Sequence, residues 1–88
     1  MRGTLLPYWK CHKVVRAAKI EAITPLGDGA YLRLALKKWP VQAATTFHVD
    51  AAFVERFKPE VGSYFVVYED GYESISPAKA FEEGYSRL

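Results

Sequence analysis

The spacing of apolar and polar positions divides the chain into short strands and two short helices. In residues 13–24, KVVRAAKIEAIT, Val14, Ala18, Ile20 and Ala22 alternate imperfectly with Arg16, Lys19 and Glu21. That pattern fits a half-buried strand with a bulge, although Val14, Val15, Ala18 and Ala22 also form a helical stripe. The strand is favoured because no cap precedes Lys13, β-branched residues are frequent, and Pro25-Leu26-Gly27-Asp28-Gly29 follows as a turn signal. Residues 30–36 alternate more regularly. Leu32, Leu34 and Leu36 fall on one face and Tyr31, Arg33 and Ala35 on the other, which predicts a strand with its leucines inward, paired with the preceding strand across the glycine-rich turn. Residues 37–44, carrying Trp39-Pro40, read as a loop, and 45–49 as a short strand.

Helical spacing starts at Asp50, a good N-cap for residues 51–57. Val49 and Val54 are placed for a hydrophobic staple, and Phe53 and Phe57, four apart, share the face that points inward. Pro59 ends this helix. Residues 61–88, VGSYFVVYEDGYESISPAKAFEEGYSRL, then read as strand, turn, strand, helix. A two-residue Asp70-Gly71 turn pairs Tyr68 with Glu73 and Val66 with Ile75. Tyr64, Val66 and Ile75 then share one face, and Phe65, Val67 and Tyr72 the other. Both faces are apolar, so one needs covering by the rest of the chain and the other by a helix or a partner. Ser76 reads as an N-cap with Pro77 at the first helical position, Ala80 and Phe81 as the buried side, Gly84 as the C′ residue and Tyr85 as folding back on Ala80. Glu82 and Glu83 sit at the negative end of that helix, a small misfit that marks a place for something positive to dock.

The fold class expected is α+β: a small, mostly antiparallel twisted sheet or partly open barrel of about four to five strands, with two short helices, the second C-terminal. Its 88 residues form a single domain, with an irregular arm over 1–12 and a β-rich core over 13–88. Half the residues are hydrophobic and a quarter charged, which excludes a disordered chain. The single cysteine, Cys11, allows no internal disulfide, and no signal peptide or membrane span is visible. A cytoplasmic location is expected, that of the bacterial host if the chain is phage-encoded.

The net charge of +2 hides an asymmetry. Residues 1–58 carry ten Lys/Arg against four Asp/Glu, a surplus of +6, and residues 59–88 carry two against six, or −4. The first twenty hold Arg2, Lys10, Lys13, Arg16 and Lys19 and no acid. Such a division serves pairing within the chain or between subunits, or presents a basic face to an anion.

Chemistry-bearing constellations are few. Cys11, His12, His48 and Asp50 do not match a zinc spacing, and Asp50 is better read as a helix cap. Cys11 and His12 are chain neighbours whose side chains diverge, unlike a nucleophile and its base. Glu69 and Asp70 are strand end and turn rather than a catalytic carboxylate pair. Gly27-Asp28-Gly29 lacks the helix that a phosphate-binding loop requires. No catalytic residue, metal or cofactor is expected, and the chain reads as a non-enzyme. Nucleic-acid binding finds a basic, aromatic segment in Trp9, Lys10, Lys13, Arg16 and Lys19, opposed by the acidic last third.

The string YFVVYEDGYESISPAKAFEEGY, together with CHKVVRAAKI, resembles a group of small tailed-phage and prophage accessory proteins, with DGYxSxSPxxAFExGY as the specific core. The resemblance implies an accessory gene product rather than a metabolic enzyme, and carries no activity onto particular residues. A looser likeness, on Asp70-Gly71, Ser76-Pro77 and Tyr85, runs to small phage proteins that sequester nucleotide signals of bacterial defence. The leading expectation is therefore a host-defence antagonist that captures a small nucleotide signal at a homo-oligomer interface. In this account Tyr8, Trp9 or Tyr72 stacks a base, and Arg16 and Lys19 hold phosphate. The alternatives are a protein–protein interaction module that inhibits a host protein or assists phage assembly, and a small nucleic-acid-binding barrel.

Overall fold

The computed structural model describes residues 5–10, 14–38 and 41–87 of the chain. The elements run β1 (Tyr8–Lys10), β2 (Val14–Leu26), β3 (Gly29–Lys38), β4 (Val41–Asp50), α1 (Ala51–Phe57), β5 (Tyr64–Val67), β6 (Glu73–Ser76), α2 (Ala78–Gly84) and β7 (Ser86–Arg87). All strand pairs are antiparallel, and among the described residues the sheet does not close. This is the expected small α+β fold with a second helix near the C-terminus.

Strand β2 holds the sheet together because it is long enough to serve two sets of partners. Its first half pairs with β1 (Trp9↔Val15) and with β5 (Ala18↔Phe65), and its second half with β3 (Ile23↔Leu32). Between the halves, Glu21 and Ala22 together oppose the single residue Arg33, so the expected bulge is present. Gly27-Asp28 make the turn, and Leu26 faces Gly29. Gly29 has φ +150°, and a Cβ built there lies 2.0 Å from the Val49 carbonyl oxygen, so only glycine lets β4 approach.

Two apolar clusters form, one on each face of β5. Phe65 and Val67 point into the larger one with Ile20, Leu32, Leu34, Phe47 and Val49. Phe47 of β4 meets Phe65 of β5 with ring centroids 5.6 Å apart, although these strands are not paired, so the sheet curls to bring them together. Helix α1 covers this cluster through Phe53 and Val54. Its cap is as expected, the Phe53 N–H donating to Asp50 Oδ1 at 2.8 Å. The helix closes on Lys58 in the left-handed region (φ 45°), immediately before Pro59. Phe57, one turn beyond Phe53, lies beside Tyr72 at 6.5 Å rather than in the centre of the core. On the other face of β5, Tyr64 and Val66 join Val15, Ala17 and Phe81. There Phe81 of α2 is sandwiched between Tyr64 (4.3 Å) and Tyr85 (4.6 Å), with Trp9 edge-on at 5.0 Å. One face is thus covered by the rest of the chain and the other by a helix.

Several expectations are corrected. The described residues form seven strands, not four or five. Residues 8–10 of the supposed irregular arm are strand β1, held by pairing to β2 and β7. Most of the supposed 37–44 loop is strand, since β3 runs to Lys38 and β4 starts at Val41 in unbroken register. Trp39-Pro40, Cys11 and His12 lie outside the described residues. Residues 14–26 are strand throughout, so the helical stripe is not used.

The last hairpin differs by one residue. The Gly71 N–H donates to Tyr68 O, and the Tyr68 N–H to Tyr72 O, each at 2.9 Å. The loop is therefore a turn over Glu69-Asp70 followed by Gly71 at φ +88°, three residues rather than two. Phe65 faces Ile75 and Val66 faces Ser74, which moves Ile75 to the face of Phe65. Ser76 stays in β6, and Pro77 takes the N-cap position without a side-chain bond. Gly84 lies inside α2, the Tyr85 N–H donates to Phe81 O as in any helical turn, and Tyr85 stacks on Phe81 rather than on exposed Ala80. An aromatic partner four residues back offers more contact than a methyl group, and that settles the ending without a left-handed glycine.

Candidate functional site

The alternation of β1 and β2 decides where the five candidate ligand residues lie. Side chains one or three apart on a strand point to opposite faces. Tyr8 and Trp9 are therefore separated, and so are Arg16 and Lys19. Tyr8 sits opposite Arg16 across the β1–β2 ladder. The Arg16 guanidinium lies 4.1 Å over the Tyr8 ring, donates to the Tyr8 hydroxyl and also to Leu6 O at 3.3 Å. Trp9, on the other face, donates its indole N–H to Ala17 O at 3.2 Å and packs edge-on against Tyr64 and Phe81.

Lys19 shares that second face. Its Nζ lies 3.5 Å from Glu82 Oε2 and 5.8 Å from the Tyr64 ring centroid. The Tyr64 hydroxyl donates to the same Glu82 oxygen at 2.7 Å. A cleft of about 230 Å³ opens here, with Trp9, Lys19, Tyr64 and Glu82 among its lining residues. Burial, reinforced by the hydrogen bond and the charge of Glu82, pushes the Tyr64 phenol up to about 12. The bond from Tyr64 holds the Glu82 carboxyl below the usual carboxylate range against the opposing effect of desolvation, with the charge and hydrogen bond of Lys19 adding to the lowering. The misfit of an acid at the end of α2 is thus answered within the chain by Lys19 of β2.

Tyr72 belongs to neither group. It is 46 % exposed and lies at the end of the three-residue loop of the β5–β6 hairpin. With Val14, Tyr68, Glu69 and Asp70 it lines an open cleft of about 540 Å³. The rings of Tyr68 and Tyr72 lie 6.0 Å apart at 37°, and the Tyr72 N–H donates to Asp70 Oδ1 at 3.0 Å, which fixes the loop.

The structure therefore brings the five candidates together only in pairs: Tyr8 with Arg16, Trp9 with Lys19, and Tyr72 apart. Sequence reasoning did not place Tyr64, Tyr68 and Glu69 beside these clefts, and it read Glu82 only as a docking point for positive charge, which Lys19 takes. Glu82 left a signal in its unfavourable helix position, and the aromatic–acid string Tyr68-Glu69-Asp70-Gly71-Tyr72 was visible only as a turn. Among the described residues no three His, Cys, Asp or Glu are grouped to hold a metal ion. His48 Nε2 lies 3.7 Å from Asp28 Oδ1 and its ring stands edge-on to Tyr31, an exposed pairing between β4 and the β2–β3 turn rather than one with Asp50. No helix among the described residues is long and apolar enough to cross a membrane. No family model, curated protein or solved structure matches the chain.

Proposed function

We propose that the chain is a non-catalytic binding module whose partner is a protein, engaged through the tyrosine cleft at the tip of the β5–β6 hairpin. The observation that carries this reading is the exposure of Tyr72 beside Tyr68 on a loop fixed by backbone and Asp70 hydrogen bonds. Tyrosine offers a large rigid surface with a polar tip at low entropic cost, so preset exposed tyrosines favour protein recognition. The cleft is walled in part by Glu69 and Asp70, which disfavour a phosphate-bearing ligand there. The resemblance to phage accessory proteins supports a partner in a bacterial host, with inhibition of a host protein or help in phage assembly as its role.

The test immobilises the chain and its Tyr72→Ala variant, exposes both to a bacterial host lysate and weighs the recovered species. A stoichiometric protein held by the parent and lost from the variant supports the reading; no protein, or equal recovery, refutes it. A second reading, capture of a nucleotide, is favoured by the Tyr8–Arg16 stack, an aromatic ring and a guanidinium already in contact on an exposed strand. A panel of cyclic and linear nucleotides decides it by thermal shift. A true ligand at 100 times its Kd adds about 2.7 kcal/mol of stability. An unchanged melting temperature across the panel removes this second reading.

A further inference from the structure

We infer that the cleft lined by Glu69, Asp70, Tyr68 and Tyr72 receives a cationic side chain, an arginine or a lysine, presented by a separate protein partner. This rests on the protein-binding reading above and names what that partner brings.

The argument starts from space. A volume of about 540 Å³ admits a whole side chain, and the cleft opens on the surface, so an extended segment reaches it without rearrangement. Next come the walls. Two tyrosine rings, 6.0 Å apart and tilted by 37°, are among the groups that line it. A cation within about 6 Å of such a ring is attracted by its quadrupole, and arginine also stacks on it. The molecule shows this preference elsewhere, with Arg16 4.1 Å over Tyr8 and Arg56 5.1 Å over Phe57.

The acids then fix the sign. Glu69 is exposed at the rim, and among the described residues it forms no ion pair. Asp70 is held in place by the Tyr72 N–H on Oδ1. An anion entering here meets two carboxylates. An apolar side chain strips water from Glu69 without replacing it. A guanidinium or ammonium group answers the Glu69 carboxylate and the exposed Tyr72 ring together, through charge-assisted hydrogen bonds at one end and π contact along its length. The surplus of −4 over residues 59–88 draws such a partner in.

The test uses the full chain labelled with ¹⁵N and three capped tripeptides, acetyl-Gly-Arg-Gly-amide, its lysine analogue and its glutamate analogue. The arginine and lysine peptides shift the amides of Tyr68, Gly71 and Tyr72 with saturation, and the glutamate peptide does not. Glu69→Gln, a change on an exposed loop, weakens arginine binding at least threefold, and Tyr72→Leu does so too. No saturable shift, an equal response to glutamate, or unchanged binding by Glu69→Gln overturns the assignment. Shifts of the same amides with the concentration of the chain alone place a second copy in the cleft and overturn it as well. If a lysate protein is lost from Tyr72→Ala but the basic peptides do not bind, the cation assignment falls and the protein-binding reading stands; if neither is seen, both fall.

Discussion

Phe81 is the only buried side chain of α2, and replacing it tests how the second apolar face is held. A seven-residue helix has no stability of its own in water, so α2 exists only because it is docked. Phe81 is 1 % exposed, stacked against Tyr64 and Tyr85 and met edge-on by Trp9. Phe81→Ala removes the burial of the ring and leaves a cavity, which together cost about 3–5 kcal/mol. An 88-residue domain holds roughly 4–13 kcal/mol in total, so this is a large share of its stability. Phe81→Leu keeps most of the volume and loses the ring contacts, at a cost of about 1–2 kcal/mol. Urea unfolding followed by tryptophan fluorescence, in a Trp39→Phe background so that Trp9 alone reports, gives both values. A loss below about 1.5 kcal/mol for Phe81→Ala would refute the claim that this ring docks the helix.

Three other expectations follow from the same geometry. Gly29→Ala drives a Cβ into the Val49 carbonyl and costs about 3 kcal/mol or more, while Gly27→Ala points into open space and stays within about 1 kcal/mol; comparable urea midpoints for the two would contradict the close approach of β4. Asp50→Ala loses the cap on the Phe53 N–H and costs about 1 kcal/mol, whereas Asp50→Ser keeps most of it, again by urea unfolding. The Tyr64 phenol is raised in the fold from 10.0 to about 12, so the stability it contributes is complete below pH 10 and is lost as the pH climbs to about 12, by at most about 2–3 kcal/mol. The Glu82 carboxyl is lowered, so its contribution is present above the ordinary carboxylate range and disappears as pH falls through its folded value. Melting curves from pH 3 to 12 for the parent and Tyr64→Phe check both limbs: the variant lacks the Tyr64 share of the alkaline loss, and superimposable profiles would show that the bond to Glu82 has no thermodynamic weight.

Much of the fold is legible because local signals there have one solution. Asp50 before an apolar i, i+3, i+4 pattern has little to be but a cap, and the leucines at 32, 34 and 36 fit one face of a strand. The last hairpin shows where local reading stops. Asp70-Gly71 suits both a two-residue and a three-residue loop, and the choice rests on whether Ile75 gains more beside Phe65 or on the opposite face. That is a packing question, invisible to a turn rule. The first part of β4 was hidden for a similar reason, since Val41, Gln42, Ala43 and Ala44 have no strong alternation and pair because β3 offers a partner for all ten residues of the strand. The scatter of the candidate site was legible in part. Once residues 13–24 are taken as a strand, Arg16 and Lys19 belong to opposite faces by parity alone. Only the structure shows that each already has a partner of its own, Tyr8 in one case and Glu82 in the other.

The bulge of β2 bears on how the length of this chain can change. Ile20 and Ile23 are three apart, yet both turn to the large cluster, because Glu21 and Ala22 share one position against Arg33. Deleting Glu21 brings the two isoleucines to a spacing of two, which a regular strand also buries on one face. The apolar code of β2 therefore survives the loss of one residue there, and what disappears is the bend that lets its two halves follow different partners. A shortened chain of this kind would still spell the same core and close it differently, so length variants at this point would alter curvature before they alter composition.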